Sequence, residues 1–245
     1  MKKYVAICIM AIGLYALQPP SWEMCPEIHS NATSVDYLVE TPNGVLIAGT
    51  NPVNIGGNVY HSLWRSTDGG NTWSPCSPIT AGSMYLVGLE LTPSGRVYVI
   101  YCISPYLANP VIQIFYSDND GGTWSELPQP RIPLAVIFRI RSGIPYRIGI
   151  KYHNGKLYVW GPKSNTLGSP IFHTELWYYD EASSQWNKWD ILIDHGFTIE
   201  KGPGPQAGQT YLYLGTSGPT GAANVIRLNQ PIGNLQNKNL SKEEK

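Results

Sequence analysis

Charged residues are scarce in this sequence, and neither sign is in excess. Lys and Arg together number 17, Asp and Glu together also number 17, and the four types make up 14% of the 245 residues. A domain that binds nucleic acid needs a basic patch or stripe. We therefore expect no nucleic-acid partner.

Cysteine and histidine are also sparse, with four and five copies. No Cys-x-x-Cys pair and no His/Cys cluster has the spacing of a zinc site, so we predict no metal site and no cofactor. Three cysteines, Cys25, Cys76 and Cys102, follow the N-terminal segment, and an odd number is not a disulfide framework. We expect Cys25 and Cys76 not to bond each other.

Long apolar runs are missing beyond the N-terminus, MKKYVAICIMAIGLYALQPP. Two lysines, an apolar run and two prolines are the layout of a secretory signal peptide, and the run is shorter than the about 20 residues that span a membrane. We predict that residues 1–20 are a signal peptide, with a retained anchor and a structural strand as alternatives. The expected location is secreted, periplasmic or at the cell surface, with membrane contact only through a retained anchor.

Glycine, proline and aromatic residues are plentiful instead. The chain has 25 Gly, 20 Pro, 16 Tyr and 8 Trp, a composition that favours many turns and aromatic-rich strands. The last stretch, residues 234–245, is polar and we expect it to be disordered.

Two octapeptides fit one pattern, S-x-[DN]-x-G-x-T-W. They are STDGGNTW (66–73) and SDNDGGTW (117–124), and a weaker copy, YDEASSQW (179–186), keeps an acidic residue and the tryptophan. A tight turn precedes each copy at a steady distance, because Gly44, Gly95 and Gly155 lie 29, 29 and 31 residues before the closing tryptophan. Two landmarks in register define an internal repeat, which is typical of blades or solenoid units.

Each repeat has room for four strands joined by hairpins. In the first repeat we predict strands at 35–40, 45–49, 61–66 and 72–76. A fourth repeat has three, at 197–200, 211–215 and 224–228, and then the chain ends. Trp22 lies 22 residues before Gly44, as Trp73 lies 22 before Gly95. We therefore predict an all-β propeller at 21–233, with four four-stranded antiparallel blades and residues 21–25 closing the last blade beside 224–228.

These octapeptides resemble the Asp-box, or BNR repeat, of sialidase-like β-propellers. The resemblance implies that each octapeptide is an architectural turn between the third and fourth strands of a blade. Its side chains then hydrogen-bond the local backbone, its glycines (69, 70, 121 and 122) take positive φ, and its tryptophan packs on the blade. The structural residues implied are Ser66, Asp68, Gly70, Thr72, Trp73, Ser117, Asn119, Gly121, Thr123, Trp124 and Trp186.

The same family includes enzymes, receptors and assembly factors, so the repeat does not fix a function. Sialidases of the family carry an Arg-Ile-Pro motif before the first box, whereas Arg-Ile-Pro here (131–133) follows the second. Glycoside hydrolysis needs two carboxylates across a cleft, and no pair stands out. We predict no catalytic residues and a noncatalytic propeller that acts as a binding or scaffold module. The alternatives are a divergent sialidase-like glycoside hydrolase and a fragment of a larger propeller.

A ligand is expected on the long loops between second and third strands, which share one face of a propeller and which we predict at 51–58, 104–110, 162–170 and 217–223. Their amide and aromatic side chains suit a glycan, a peptide or a protein, although ordinary turn chemistry explains the same residues. An inserted stretch at 133–143 is a further interaction candidate. The predicted ligand-facing residues are Asn54, Asn58, Tyr60, Tyr106, Asn109, Asn165, His173, Asp194 and His195.

Overall fold

The computed structural model describes most of the chain between residues 23 and 227. The described residues are 23–80, 84–103, 111–127, 148–164, 172–190, 196–203, 205, 210–217 and 223–227. Within them all regular structure is β-strand, which confirms the predicted all-β class. This part of the chain holds no helix with the length and apolar character to cross a membrane. The predicted leader (1–20), tail (234–245), Arg-Ile-Pro motif and inserted stretch (133–143) lie outside the described residues.

The strands form four antiparallel sheets in chain order, and each strand pairs with the next one along the chain. The first sheet has β1 (Val35–Glu40), β2 (Leu46–Gly56), β3 (Val59–Ser66) and β4 (Ser74–Pro75), and the second has β5 (Met84–Leu91), β6 (Val97–Ile103), β7 (Val111–Ser117) and β8 (Ser125–Glu126). The third has β9 (Gly149–His153), β10 (Lys156–Ser164), β11 (Phe172–Asp180) and β12 (Gln185–Asp190), and the fourth has β13 (Gly196–Pro203), β14 (Thr210–Ser217) and β15 (Ala223–Arg227). The predicted four-stranded antiparallel blades are therefore confirmed for the first three sheets, and the fourth sheet is antiparallel with three strands within the described residues.

The first hairpin of each complete sheet turns at a glycine in the left-handed region. Gly44, Gly95 and Gly155 have φ of 75°, 91° and 72°, which other residues rarely adopt. These are the three glycines that mark the repeat in the sequence. The second hairpin of the first sheet differs from the prediction, because 51–58 is not a long loop. β2 runs to Gly56 and β3 begins at Val59, since pairing between the two strands outweighs the local Pro, Asn and Gly content.

The core lies between neighbouring sheets. Because successive side chains of a strand point to opposite faces of its sheet, they belong to two separate clusters. On β6, Val97 and Val99 pack with Ile47 of the first sheet, in one cluster. Tyr98 and Ile100, which point to the opposite face, join the cluster shared with the third sheet. All four β6 side chains are fully buried. The second sheet is thus covered on both faces, as a blade between two blades must be.

The first strands of successive sheets lie closest to one another. β5 contacts β1 and β2 of the preceding sheet and β9 of the following one, and β9 contacts β13. Gly88 on β5 permits the close approach, because a side-chain carbon there would lie 2.8 Å from Ile150. Sheets stacked face to face with their first strands inward form a β-propeller.

The fourth sheet has three strands within the described residues. The proposed closing strand is only partly described: residues 23–25 are not assigned as strand, and residues 21 and 22 lie outside the described ranges. Cys25 lies against Gly70 and near Leu46, both of which belong to the first sheet and its turns. Pairing of 21–25 with 224–228 therefore stays a prediction.

Candidate functional site

The first octapeptide connects β3 to β4 and is held by its own side chains. Ser66 Oγ donates to Asp68 Oδ1 at 2.8 Å and accepts the Gly70 N–H at 2.8 Å. The Asp68 carboxylate also accepts two bonds from Thr72, from its N–H at 2.9 Å and its hydroxyl at 2.7 Å. The hydrogen bonds from Thr72, followed by the one from Ser66, lower the pKa of Asp68 to about 2. Every polar atom of this carboxylate is therefore engaged in shaping the turn.

The second octapeptide connects β7 to β8 with nearly the same network. Ser117 Oγ accepts the Gly121 N–H at 2.9 Å, and Asn119 Oδ1 accepts the Thr123 N–H at 2.8 Å. The Asn119 amide donates to Thr123 Oγ1 at 2.9 Å, where a carboxylate would accept. Trp124 then donates its indole N–H to the carbonyl of Cys76 at 2.6 Å. This bond ties the second sheet to the outer edge of the first.

Positive φ falls at the same two positions of both loops, although the residue at the first of these positions differs. In the first loop Gly69 and Gly70 have φ of 71° and 91°. In the second the matching positions are Asp120 and Gly121, at 55° and 76°. The expectation that Gly122 takes positive φ is therefore wrong, because the second loop reverses one residue earlier than its glycine pair suggests.

In the third, degenerate octapeptide the acidic residue makes different contacts from those of Asp68. Trp186 packs on Tyr179, with ring centroids 5.2 Å apart, and joins the core. Glu181 aligns with Asp68 but accepts hydrogen bonds from Tyr98 of the second sheet and from Tyr152 of its own sheet, which lie 83 and 29 positions away in the chain. With the Ser and Thr of the box absent, the carboxylate is free to bond neighbours outside its own loop.

The predicted ligand face is described only in part. Asn54 and Tyr60 are cross-strand partners on β2 and β3, but the Asn54 side chain is engaged in its own turn. It accepts the Gly56 N–H at 2.8 Å and donates to the Gly57 carbonyl at 3.0 Å. Asn58 is exposed in that turn. Of the rest, His173 lies on β11 with its side chain outside the described part, and Tyr106, Asn109, Asn165, Asp194 and His195 lie wholly outside it.

The described residues place a different polar group at the junction of the second and third sheets, here called the Arg96 cluster. It consists of Arg96, Tyr98, Asp118, Tyr152 and Glu181. The guanidinium of Arg96 donates two hydrogen bonds to the Asp118 carboxylate, at 2.6 Å and 3.0 Å, and one to Glu181 at 3.1 Å. It also lies over the Tyr116 ring, 4.5 Å from the centroid. One cation thus bridges two carboxylates from different sheets.

Two phenols complete the cluster by donating to Glu181. Tyr98 reaches Oε1 at 2.5 Å and Tyr152 reaches Oε2 at 2.6 Å. Burial raises the pKa of Tyr98, and burial followed by the bond to Glu181 raises the pKa of Tyr152 to about 12. Both phenols stay protonated at neutral pH and remain hydrogen-bond donors.

The cluster borders a cavity of about 480 Å³ that we call the Arg96 cavity. Its wall includes a turn of the first sheet and a turn of the second sheet, and the Asn43 amide of one donates to Asp120 Oδ2 of the other at 2.9 Å. Polar groups dominate the lining, which suits hydroxyl groups more than apolar ligands. The lining residues are Pro42, Asn43, Ser94, Gly95, Arg96, Asp118, Asp120 and Glu181.

The charged and phenolic groups behind the cavity are bonded to one another. Arg96 pairs with both Asp118 and Glu181, and the hydroxyls of Tyr98 and Tyr152 donate to Glu181. No group of three or more His, Cys, Asp or Glu side chains suited to a metal occurs in the described ranges. The sequence prediction missed this cluster, and its one visible signal was the acidic residue retained at 181.

A second groove of about 480 Å³ lies on the opposite side of the first sheet, away from the second sheet. Residues 25–35 form one wall, and the other is made by Leu38, Leu46, Ala48 and Trp73. The lining is mainly apolar. His29 covers part of the same face, with its ring centroid 5.4 Å from that of Trp64.

No family model matches this chain. Among curated proteins it is 26% identical over 164 residues to a xyloglucanase of Hypocrea jecorina (strain QM6a). That match covers 57% of this chain and 18% of the relative. The chain thus corresponds to less than a fifth of the relative's length.

Solved structures with similarity include several carbohydrate-active enzymes. An alpha-L-arabinanase of Penicillium chrysogenum, complexed with arabinobiose, is 16% identical with a TM-score of 0.45, over 78% of this chain and 60% of that one. The K499G mutant of NanB sialidase from Streptococcus pneumoniae is 12% identical with a TM-score of 0.47, over 78% of this chain and 45% of that one. These similarities are too low to assign a function.

The expectation of a noncatalytic binding or scaffold module is contradicted by the match to the xyloglucanase. The glycoside hydrolase, given above as the alternative, agrees with that match. The earlier prediction failed because it required a recognisable pair of carboxylates, and a pair of carboxylates is defined by spatial distance rather than by sequence motif.

Proposed function

We propose that this chain forms all or part of a glycoside hydrolase of the β-propeller type, acting on a polysaccharide of the xyloglucan kind. The observation that carries the proposal is the 164-residue similarity to a xyloglucanase. The proposal concerns the reaction class, the hydrolysis of a glycosidic bond by two carboxylates. No catalytic pair is assigned among the described carboxylates.

The Arg96 cavity supports a carbohydrate ligand. Asn43, Ser94 and Asp118 are exposed at its edge, and an amide, a hydroxyl and a carboxylate are suitable partners for sugar hydroxyls. The guanidinium behind them is fixed by its two carboxylates and needs no rearrangement on binding. We therefore propose that this cavity holds part of the polysaccharide.

We also propose that the octapeptides are Asp-boxes in the structural sense of that name. The support is the repeated network in which Ser66 and Ser117 accept a glycine N–H, and Asp68 and Asn119 accept a threonine N–H. In this role the boxes stabilise the blades and do not touch substrate.

Export is proposed as well, since a polymeric substrate is met outside the cell and the N-terminus has the layout of a signal peptide. N-terminal sequencing of the protein recovered from the culture medium of an expressing cell tests it. A mature chain that starts near residue 21 agrees with export, and a full-length chain found only inside the cell contradicts it.

Hydrolysis and binding are tested separately with purified chain. Xyloglucan, unsubstituted β-glucan and arabinan are incubated with it, and new reducing ends are counted against a heat-unfolded sample. Binding is followed by the retardation of the chain in native gels that contain each polysaccharide. A Ser94→Trp variant, which fills the cavity mouth, should lose retardation, whereas Glu126→Gln on the exposed β8 strand should keep it. A folded chain with neither activity nor retardation on any polysaccharide contradicts the proposal.

A further inference from the structure

We infer that residues 23–25 are the outermost strand of the fourth sheet, and that this sheet occupies the apolar groove of the first sheet, closing the propeller within one chain. The inference is independent of the proposed function. The groove bordered by Leu46, Ala48 and Trp73 is then filled by the sheet of β13, β14 and β15.

The first observation is a repeated contact between a cysteine and a box glycine. A side-chain carbon built on Gly121 would lie 3.7 Å from the sulfur of Cys76. A carbon built on Gly70, the same position in the first box, would lie 3.3 Å from the sulfur of Cys25. Cys25 thus has the same relation to the first sheet as Cys76 has to the second.

The role of Cys76 is known from its backbone. Its N–H donates to the carbonyl of Leu63 at 2.9 Å, which extends the β3–β4 pairing by one residue. Cys76 therefore belongs to the outer strand of one sheet and contacts the box of the next. By the same relation, Cys25 belongs to the outer strand of a sheet that precedes the first.

In the part of the chain that the structure describes, the fourth sheet has no outer strand, which is the place that the segment of Cys25 would fill. Its order is β13-β14-β15 within the described residues, and Val225 and Arg227 on β15 are exposed. An open edge of this kind presents unpaired N–H and C=O groups. Within the described residues, three strands lack an outer neighbour and the segment of Cys25 lacks inner neighbours. Together they would make one blade.

The register follows from the repeat. Gly49 pairs with Leu63, the residue opposite Cys76. Tyr213 occupies the place of Gly49 when the fourth repeat is aligned through the 22-residue spacing from the closing tryptophan, and it pairs with Arg227. Arg227 is therefore the residue expected opposite Cys25.

Part of the groove is a surface that a neighbouring blade would cover. Leu46 and Ala48 hold the positions on β2 that Val97 and Val99 hold on β6, and both valines are fully buried against the first sheet. Ala48 is already buried, whereas Leu46 is only half-buried. The indole N–H of Trp73 is buried without a partner in the described residues, whereas Trp124 bonds the Cys76 carbonyl. Closure brings the Cys25 carbonyl to Trp73 in the same way.

A disulfide tests the closure directly. An Arg227→Cys variant keeps native Cys25, and residues opposite each other in a hydrogen-bonded antiparallel pair have Cα atoms about 5.5 Å apart, within disulfide range. After mild oxidation, peptide mapping should find a bridge between positions 25 and 227 in most chains, and the product should migrate as a monomer. Gln185→Cys, an exposed position on the outer strand β12 of the third sheet, is the matched control and should form no bridge to Cys25.

Two results would overturn the inference. A bridge that forms between chains would show that the fourth sheet of a second copy fills the groove. An oxidation yield no higher than that of the Gln185→Cys control would show that the two positions do not meet. Hydrogen exchange of the unmodified chain is a second readout, because closure protects the β15 amides that point away from β14, and rapid exchange there contradicts it.

Discussion

Asp68 accepts two hydrogen bonds from Thr72, one from its backbone N–H at 2.9 Å and one from its hydroxyl at 2.7 Å. The ionised carboxylate is the form that accepts both, and its pKa falls to about 2 in the folded chain. The second box reaches the same shape with Asn119, an uncharged acceptor. The two boxes therefore provide a matched comparison between a titrating and a non-titrating turn.

Asp68→Asn should fold normally and lose part of its acid sensitivity. A folded-state pKa below the ordinary aspartate value stabilises the native state above about pH 4, and that stabilisation is lost as the pH falls toward 2. Thermal melts from pH 6 to pH 2.5 should show a smaller drop in midpoint for Asp68→Asn than for the unmodified chain. Asp68→Ala, which also removes the acceptor, should be the least stable at pH 6. Equal pH slopes in all three proteins would contradict this role of the box.

Glu181 should matter for stability more than its turn position suggests. Glu181→Ala leaves the phenols of Tyr98 and Tyr152 without their acceptor, and bonds to a charged group are worth about 1–3 kcal/mol. We expect a loss of that size in the free energy of unfolding measured with urea. Glu126→Gln, which alters an exposed carboxylate bonded to Gln113, should change it by less than about 0.5 kcal/mol. Similar losses for both variants would show that the Arg96 cluster stabilises the fold no more than an exposed carboxylate does.

Gly149 sits directly beneath the indole of Trp160. A side-chain carbon there would lie 2.0 Å from the ring, so Gly149→Ala should overpack the third sheet and cost about 1–3 kcal/mol. In a Trp160→Leu background the same substitution should cost much less, because the ring that it strikes is absent. Urea unfolding of the four proteins measures the difference. Additive losses would mean that the two residues are not in contact.

The three described cysteines should differ in reactivity. Cys25 is exposed, Cys76 is half-buried and Cys102 is buried. Burial raises the pKa of Cys76 to about 12 and that of Cys102 to about 11, and only the thiolate reacts with iodoacetamide. At pH 8 we expect Cys25 to be alkylated more than about a hundredfold faster than the other two. Peptide mapping over time measures the rates, and rapid labelling of Cys76 in folded protein would contradict its placement.

Much of the fold was predictable because its signals are local. The prediction of a strand at 35–40 coincides with β1, and the three hairpin glycines have the positive φ that their turn sequences imply. The segment 51–58 was mispredicted as a loop because Asn, Pro and Gly dominate its composition. Its strand character comes from pairing with β3, which is a property of the sheet and not of the segment.

The Arg96 cluster was not predictable from sequence spacing. Glu181 meets Tyr98 only because the second and third sheets stack face to face, and the two residues are 83 positions apart. A single tyrosine or arginine has no sequence pattern from which such a partner could be predicted. The function was mispredicted for a related reason, since a catalytic pair of carboxylates is brought together by the fold.

The proposed hydrolysis of a polysaccharide is tested most directly by incubation of the chain with xyloglucan in ¹⁸O-labelled water. Mass spectrometry of the soluble products should reveal shorter oligosaccharides that carry one ¹⁸O at the newly formed reducing end, because the bond is cleaved by water. The same chain unfolded by heat should yield none. Folded chain that leaves xyloglucan intact, with no labelled product after prolonged incubation, would contradict the account.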